Sequence, residues 1–217
     1  MNAPVLRVGH VPGVTLTKWR TRWAERLRDT LETVEVAEAD QRRVLVDDEV
    51  DMCLVRLPID REGLHAIPLY DEVTVAWVDK EHPVAAFDEV TLADLADETV
   101  LLELDATAID RVNAGAVLLV PMSVARQASR RDLVHRPVTD APPTTIALAW
   151  RTDNDNPLVE EFIGIVRGRT ANSSRTQAER AASGAAEGRT RTRRPTAPKP
   201  AARAARGRGT TPRRRPR

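Results

Sequence analysis

The chain has 217 residues, a formal net charge of +1, a single cysteine, and 41% hydrophobic but only 3% aromatic residues. That length supports one sizeable core or two small lobes, built mainly from Val, Leu, Ile and Ala, and one cysteine excludes an internal disulfide framework. No apolar run reaches the roughly 18 residues of a membrane span, and the N-terminal residues lack the charged-then-apolar pattern of a secretory leader.

In chain order, residues 6–8 predict a first buried strand, followed by the turn-forming loop His10-Val11-Pro12-Gly13-Val14. Thr15 or Thr17 can cap a helix in which Leu16, Trp19, Trp23 and Leu27 recur at three- and four-residue spacing, a core-facing stripe opposite Arg20, Arg22, Glu25 and Arg28. Residues 33–36 predict a short strand, and residues 40–47 a short helix with Val44 and Leu45 turned inward. The unbroken apolar run 51–55 is that of a parallel strand covered on both faces, ending at Arg56-Leu57-Pro58. Strands follow at 64–69 and 73–78, a turn at 80–83 and a short capped helix at 91–95. Further strands are predicted at 99–104, 116–120, 133–137 and 145–150, with helices at 106–113 (closed by Gly115), 122–128 and 157–166. Alternating strands and helices define an α/β class.

After residue 168 the composition changes. Residues 169–217 hold 15 Lys/Arg against 2 Asp/Glu, net +13, while the rest of the chain holds 18 against 30, net −12. Large apolar residues vanish, so this segment is expected to stay disordered, because it cannot bury enough surface to offset its conformational entropy. Its clusters (Arg193 and Arg194, Arg206 and Arg208, then Arg213, Arg214 and Arg215) suit phosphate backbones through counterion release, without reading of base sequence. Non-specific nucleic-acid binding through this tail is therefore an alternative function.

Three stretches resemble the first half of LysR-type effector-binding domains: Asp51-Met52-Cys53-Leu54-Val55-Arg56-Leu57-Pro58, Leu64-His65-Ala66-Ile67-Pro68-Leu69-Tyr70, and residues 75–85. The order continues through Thr91-Leu92-Ala93-Asp94-Leu95, Gly115-Ala116-Val117-Leu118-Leu119-Val120-Pro121 and Ile146-Ala147-Leu148-Ala149-Trp150-Arg151, so the resemblance runs from about residue 5 to 166. It implies a periplasmic-binding-protein-like (type 2) fold over 5–168. Lobe one would hold about 5–78 and 145–167, lobe two about 79–144, with a ligand cleft between them. Two departures stand out. The effector-like region begins at once, which implies a form lacking the helix-turn-helix, and between Glu103 and Ala116 an extra β-α-β stretch of the family is reduced to 106–113, which shortens lobe two.

The resemblance implies a cytoplasmic sensor of a small carboxylate or aromatic metabolite, partnered by a second copy or by a full-length LysR-type regulator. In the family the loop entering the first helix contacts the effector, which brings forward Val14, Thr15 and Thr17; a helix N-terminus also favours anions, with simple capping by either Thr as the alternative. Arg56, following a buried strand, is placed to meet a carboxylate in the crevice beyond the strand ends, or else is a surface residue before a proline turn. Gly115 and Pro121 are expected at the opposing cleft edge. No catalytic, cofactor or metal residue is expected. His10, His65, His82 and His135 lack ligand spacing, Cys53 lies in an apolar strand, and Asp153-Asn154-Asp155 is too short for a calcium loop.

Overall fold

The computed structural model describes residues 4–168. In chain order the elements are β1 (Val5–His10), α1 (Thr17–Arg26), β2 (Thr30–Glu35), α2 (Arg43–Val46), β3 (Met52–Arg56), β4 (Leu64–Glu72), β5 (Thr74–Asp79), β6 (Val100–Leu101), α3 (Ala108–Asn113), β7 (Val117–Pro121), α4 (Met122–Gln127), β8 (Leu133–Pro137), β9 (Thr144–Arg151) and α5 (Leu158–Val166). Two separate sheets result, ordered β2-β1-β3-β9-β4 and β6-β7-β5-β8.

In the first sheet β1 lies between β2 and β3 and is parallel to both, whereas β9 runs antiparallel between β3 and β4. Both faces are covered, which is why all five β3 residues are buried and apolar alternation is lost there. One face packs Leu6, Val8, Met52, Leu54, Ile146 and Leu148 under α1 and α5, with the Trp23 and Phe162 rings 6.0 Å apart. The other packs Cys53, Val55, Ala147 and Ala149 against Val44 and Leu45 of α2. Gly9 lets the layers pack closely here, since a Cβ there would lie 3.1 Å from Cys53 Sγ and 3.2 Å from Val36 Cγ2 and those side chains would have to give by a few tenths of an ångström.

The second sheet packs Val75, Trp77, Leu118 and Val120 against α3 and α4 on one face. Its other face packs Ala76, Val78 and Val117 against Val84 and Leu95 from short 3-10 turns and against Val90, which bridges to Val138. The chain crosses between sheets at residues 72–74, from β4 to β5, and returns over 138–144 from β8 to β9.

Several expectations change. The 73–78 strand assigned to lobe one belongs, as β5, to the second sheet, so the crossing falls at Val73. The helix at 40–47 divides into a 3-10 turn at Glu38–Asp40 and the single turn α2, since Asp47 and Asp48 end it, Asp48 at φ 58°. The 99–104 strand shrinks to Val100–Leu101 because nothing pairs beyond it, and the 91–95 helix is a 3-10 turn over Ala93–Leu95 whose Thr91 and Asp94 bond each other. Neither Thr15 nor Thr17 caps α1: Leu16 occupies the cap position with no side-chain hydrogen bond.

Candidate ligand site at the seam between the lobes

The carboxyl ends of β1 and β3 face the second lobe. β2 and β3 flank β1 on opposite sides, and it is outside such a divergence that open α/β sheets hold ligands. Arg56, the last residue of β3, has a side chain only 3% exposed. Its Nε donates to Glu72 Oε2 at 2.9 Å, its Nη1 to Glu38 Oε2 at 2.6 Å and its Nη2 to the Pro12 carbonyl at 3.0 Å. Gln41 brackets the Arg56 backbone, accepting from its N–H at 2.8 Å and donating to its carbonyl at 3.0 Å. The alternative of a surface residue is thereby corrected: Arg56 is buried and taken up by two carboxylates and a carbonyl, because an unpaired cation at such depth would be far more costly.

Three hydrogen bonds cross from this cluster to α4. Ser123 Oγ donates to Glu72 Oε1, the Gly13 N–H donates to Gln127 Oε1, and Gln127 Nε2 donates to Glu35 Oε2 at 2.8 Å. Gly13 sits at φ +89°, and a Cβ added there would lie 2.5 Å from Ser123 Oγ and 2.8 Å from the Val124 nitrogen. Only glycine allows both that conformation and that approach. The seam therefore gathers one arginine with Glu35, Glu38 and Glu72, a surplus of negative charge. Burial, and then the Glu72 carboxylate, push the Tyr70 phenol up, with Arg56 opposing. Two polar atoms near the seam, His10 Nδ1 at the end of β1 and Thr144 Oγ1 opposite Glu72, are buried without a hydrogen-bond partner.

The remaining candidates divide. Pro121 lies at the seam, opposite Thr74 in the ladder and followed by the Met122 N–H, which donates to the Val73 carbonyl. Gly115 does not: it turns the chain at the far end of β7, about 20 Å further along at the usual strand rise, a position set by its φ of +101°. Val14 is buried among Leu6, Leu54 and Phe162 as a packing residue. Thr15 is exposed, whereas Thr17 lines an outer concavity of about 760 Å³ between α1 and β2, together with Trp23, Leu27, Arg28 and Leu31. A second concavity, of about 400 Å³, lies between Arg42, Gly63 and Arg151, also on lobe one. The tail arginines fall outside the described residues. Gln41, Glu72, Ser123 and Gln127 are absent from the sequence reading. A polar Gln beside a helical turn and a Ser one residue into α4 carry no local signal, and only the fold brings them to Arg56 and Gly13.

Among the described residues no three His, Cys, Asp or Glu side chains gather as metal ligands, and no helix is long and apolar enough to cross a membrane. Two sheets with separate cores, two crossing segments and a polar seam between them define a two-lobed α/β ligand-binding domain. The family model described as the LysR substrate binding domain matches residues 3–115. The chain belongs to that family. It is 22% identical over 166 residues to the HTH-type transcriptional regulator AlsR of Bacillus subtilis (strain 168), covering 62% of this chain and 55% of AlsR, so the chain spans about half the length of that curated relative. Among solved structures, the BenM effector binding domain with its effector benzoate superposes with a TM-score of 0.63 at 20% identity, covering 78% of this chain and 93% of that one. The reduced form of the OxyR regulatory domain from Pseudomonas aeruginosa gives 0.60 at 21% identity, covering 77% and 96%. These likenesses establish the fold.

Proposed function

We propose that the chain is the effector-sensing part of a cytoplasmic LysR-type transcriptional regulator, taking a small carboxylate or aromatic acid at the seam between its lobes. One observation carries the reading: no buried apolar cluster spans the two lobes among the described residues, and polar side chains join them instead. Such a seam opens without breaking a core. A ligand carboxylate would replace the Gln127 amide oxygen at the Gly13 N–H and the half-exposed Glu38 at Arg56 Nη1, with the Thr15 hydroxyl beside it. The α1 N-terminus adds partial positive charge. Binding reaches the rest of a regulator through lobe movement, in a second copy or in a full-length partner of the same family.

The test is a thermal-shift screen of the full chain with small aliphatic and aromatic acids. A saturable rise in Tm, lost in Thr15→Ala and in Gly13→Ala, supports the reading, and absence of any shift across both classes defeats it. A second reading rests on the net +13 of residues 169–217, which lie outside the described residues. Binding of random duplex DNA that falls steeply with salt and disappears on removal of 170–217 supports it.

A further inference from the structure

The second lobe ends on an uncovered strand edge. β6 pairs with β7 alone, Val100 opposite Val117 and Leu101 opposite Leu118, and forms the outer boundary of its sheet. Leu101 turns into the core with Val112 and Leu118. Val100, Leu102 and Leu104, at alternate positions, are 37%, 75% and 42% exposed, and Leu102 is the most exposed large apolar side chain among the described residues. The backbone of 102–104 makes no hydrogen bond among the described residues. Five residues, 100–104, match the usual length of a strand, and an open edge with apolar side chains at every second position is a template for strand addition.

Charge selects the occupant. Residues 83–110 contain eight Asp or Glu and no Lys or Arg. Asp97 and Glu98 precede the edge strand, while Glu103 and Asp105 alternate with its leucines. A second copy pairing antiparallel here would gather Asp97, Glu98, Glu103 and Asp105 of both chains along one short ladder, and like charges brought together across a ladder destabilise it. We propose that the 100–104 edge docks an extended, basic segment of a partner protein as an added strand. Its apolar residues cover Val100, Leu102 and Leu104, its arginines or lysines meet the flanking acids, and its backbone pairs with the free edge. This surface lies on the outer strand of lobe two and does not rest on ligand binding at the seam.

The experiment is a fluorescence-anisotropy titration of the full chain with a short labelled peptide alternating valine and threonine, with arginines at both ends. A control peptide carries glutamates in their place. The basic peptide is expected to bind, and Leu102→Glu and Glu103→Pro, both at exposed positions and checked for a native circular-dichroism spectrum, each weaken it by at least about tenfold. Equal binding of both peptides, or of the basic peptide to Glu103→Pro, overturns the proposal. So does sedimentation showing a dimer of the unliganded chain that Leu102→Glu dissociates, because the edge then belongs to a second copy.

Discussion

Removing the Arg56 charge tests the seam's architecture most directly. Arg56 and Glu72 are side chains only 3% and 4% exposed with Nε and Oε2 2.9 Å apart. Breaking a buried pair from one side costs about 3–5 kcal/mol, because the survivor keeps its desolvation penalty without its partner. Arg56→Met leaves Glu72 buried with only Ser123 donating to it, so the full penalty of about 3–5 kcal/mol applies. Glu72→Leu costs less, about 2–3 kcal/mol, since Arg56 keeps Glu38 and the Pro12 carbonyl. Replacing both with apolar groups of similar volume is expected to return stability to within about 1 kcal/mol of the parent. Urea unfolding of the parent, both single variants and the double variant closes the cycle, and Arg56→Met should lower Tm by roughly 6–20 °C. Additive single losses, or a loss under about 1 kcal/mol for Arg56→Met, would refute the reasoning, since neither outcome fits a desolvated charge pair.

Cys53 is wholly buried and burial alone pushes its thiol up to about 12, so it should resist a thiol reagent in the native chain and react at once in urea; rapid native labelling counts against the packing described. Burial works against ionisation of Asp51, but the Arg7 side-chain and backbone hydrogen bonds outweigh it and hold the carboxyl below its usual range. A depressed carboxyl adds stability above its unfolded value of about 4 that is lost as pH falls through the lower folded value. The urea-midpoint gap between the parent and Arg7→Met should therefore be widest near neutrality and shrink below about pH 4; a gap constant with pH would exclude this linkage, which is already weakened by the 36% exposure of Arg7. Gly13→Ala should cost about 1–3 kcal/mol from φ +89° and the clash with Ser123, read by thermal melting; an unchanged Tm would show that the lobes part freely.

Much of the architecture is legible from periodicity. The stripe of Leu16, Trp19, Trp23 and Leu27 and the continuous run 51–55 each depend on neighbours within one element, and burial follows directly from them. Val73 is harder: the residue where the chain leaves one sheet for the other is set by the pairing of Thr74 with Pro121 and of Val75 with Pro137, far along the chain, so the apolar run at 73–78 gives no sign of which sheet it joins. The same holds at the site. Arg56 is recognisable as the end of a buried strand, but its partners come from residues 12, 38 and 72. Gly115 and Pro121 bound the same strand and look equivalent in sequence, yet only Pro121, beside the crossing, reaches the seam.

The energies across the seam define what any effector has to accomplish. Closure rests on Gly13 with Gln127, Gln127 with Glu35, and Ser123 with Glu72. Net hydrogen bonds contribute about 0.5–1.5 kcal/mol each, and about 1.5–3 where one partner is charged. Two of the three meet carboxylates, but Glu35 is exposed, so closure is worth a few kcal/mol in total. Reversing an equilibrium from about 99:1 to 1:99 takes about 5.5 kcal/mol of differential affinity. A ligand that adds contacts while leaving α4 in place only deepens the state already populated and cannot reverse the equilibrium. A ligand carboxylate that takes over the Gly13 N–H and Arg56 Nη1 replaces what Gln127 and Glu38 supply and spends its affinity on the difference between states. On the proposed reading, sensing at this seam would work by substitution for α4, and the residues of α4 would set its threshold as much as those that touch the ligand.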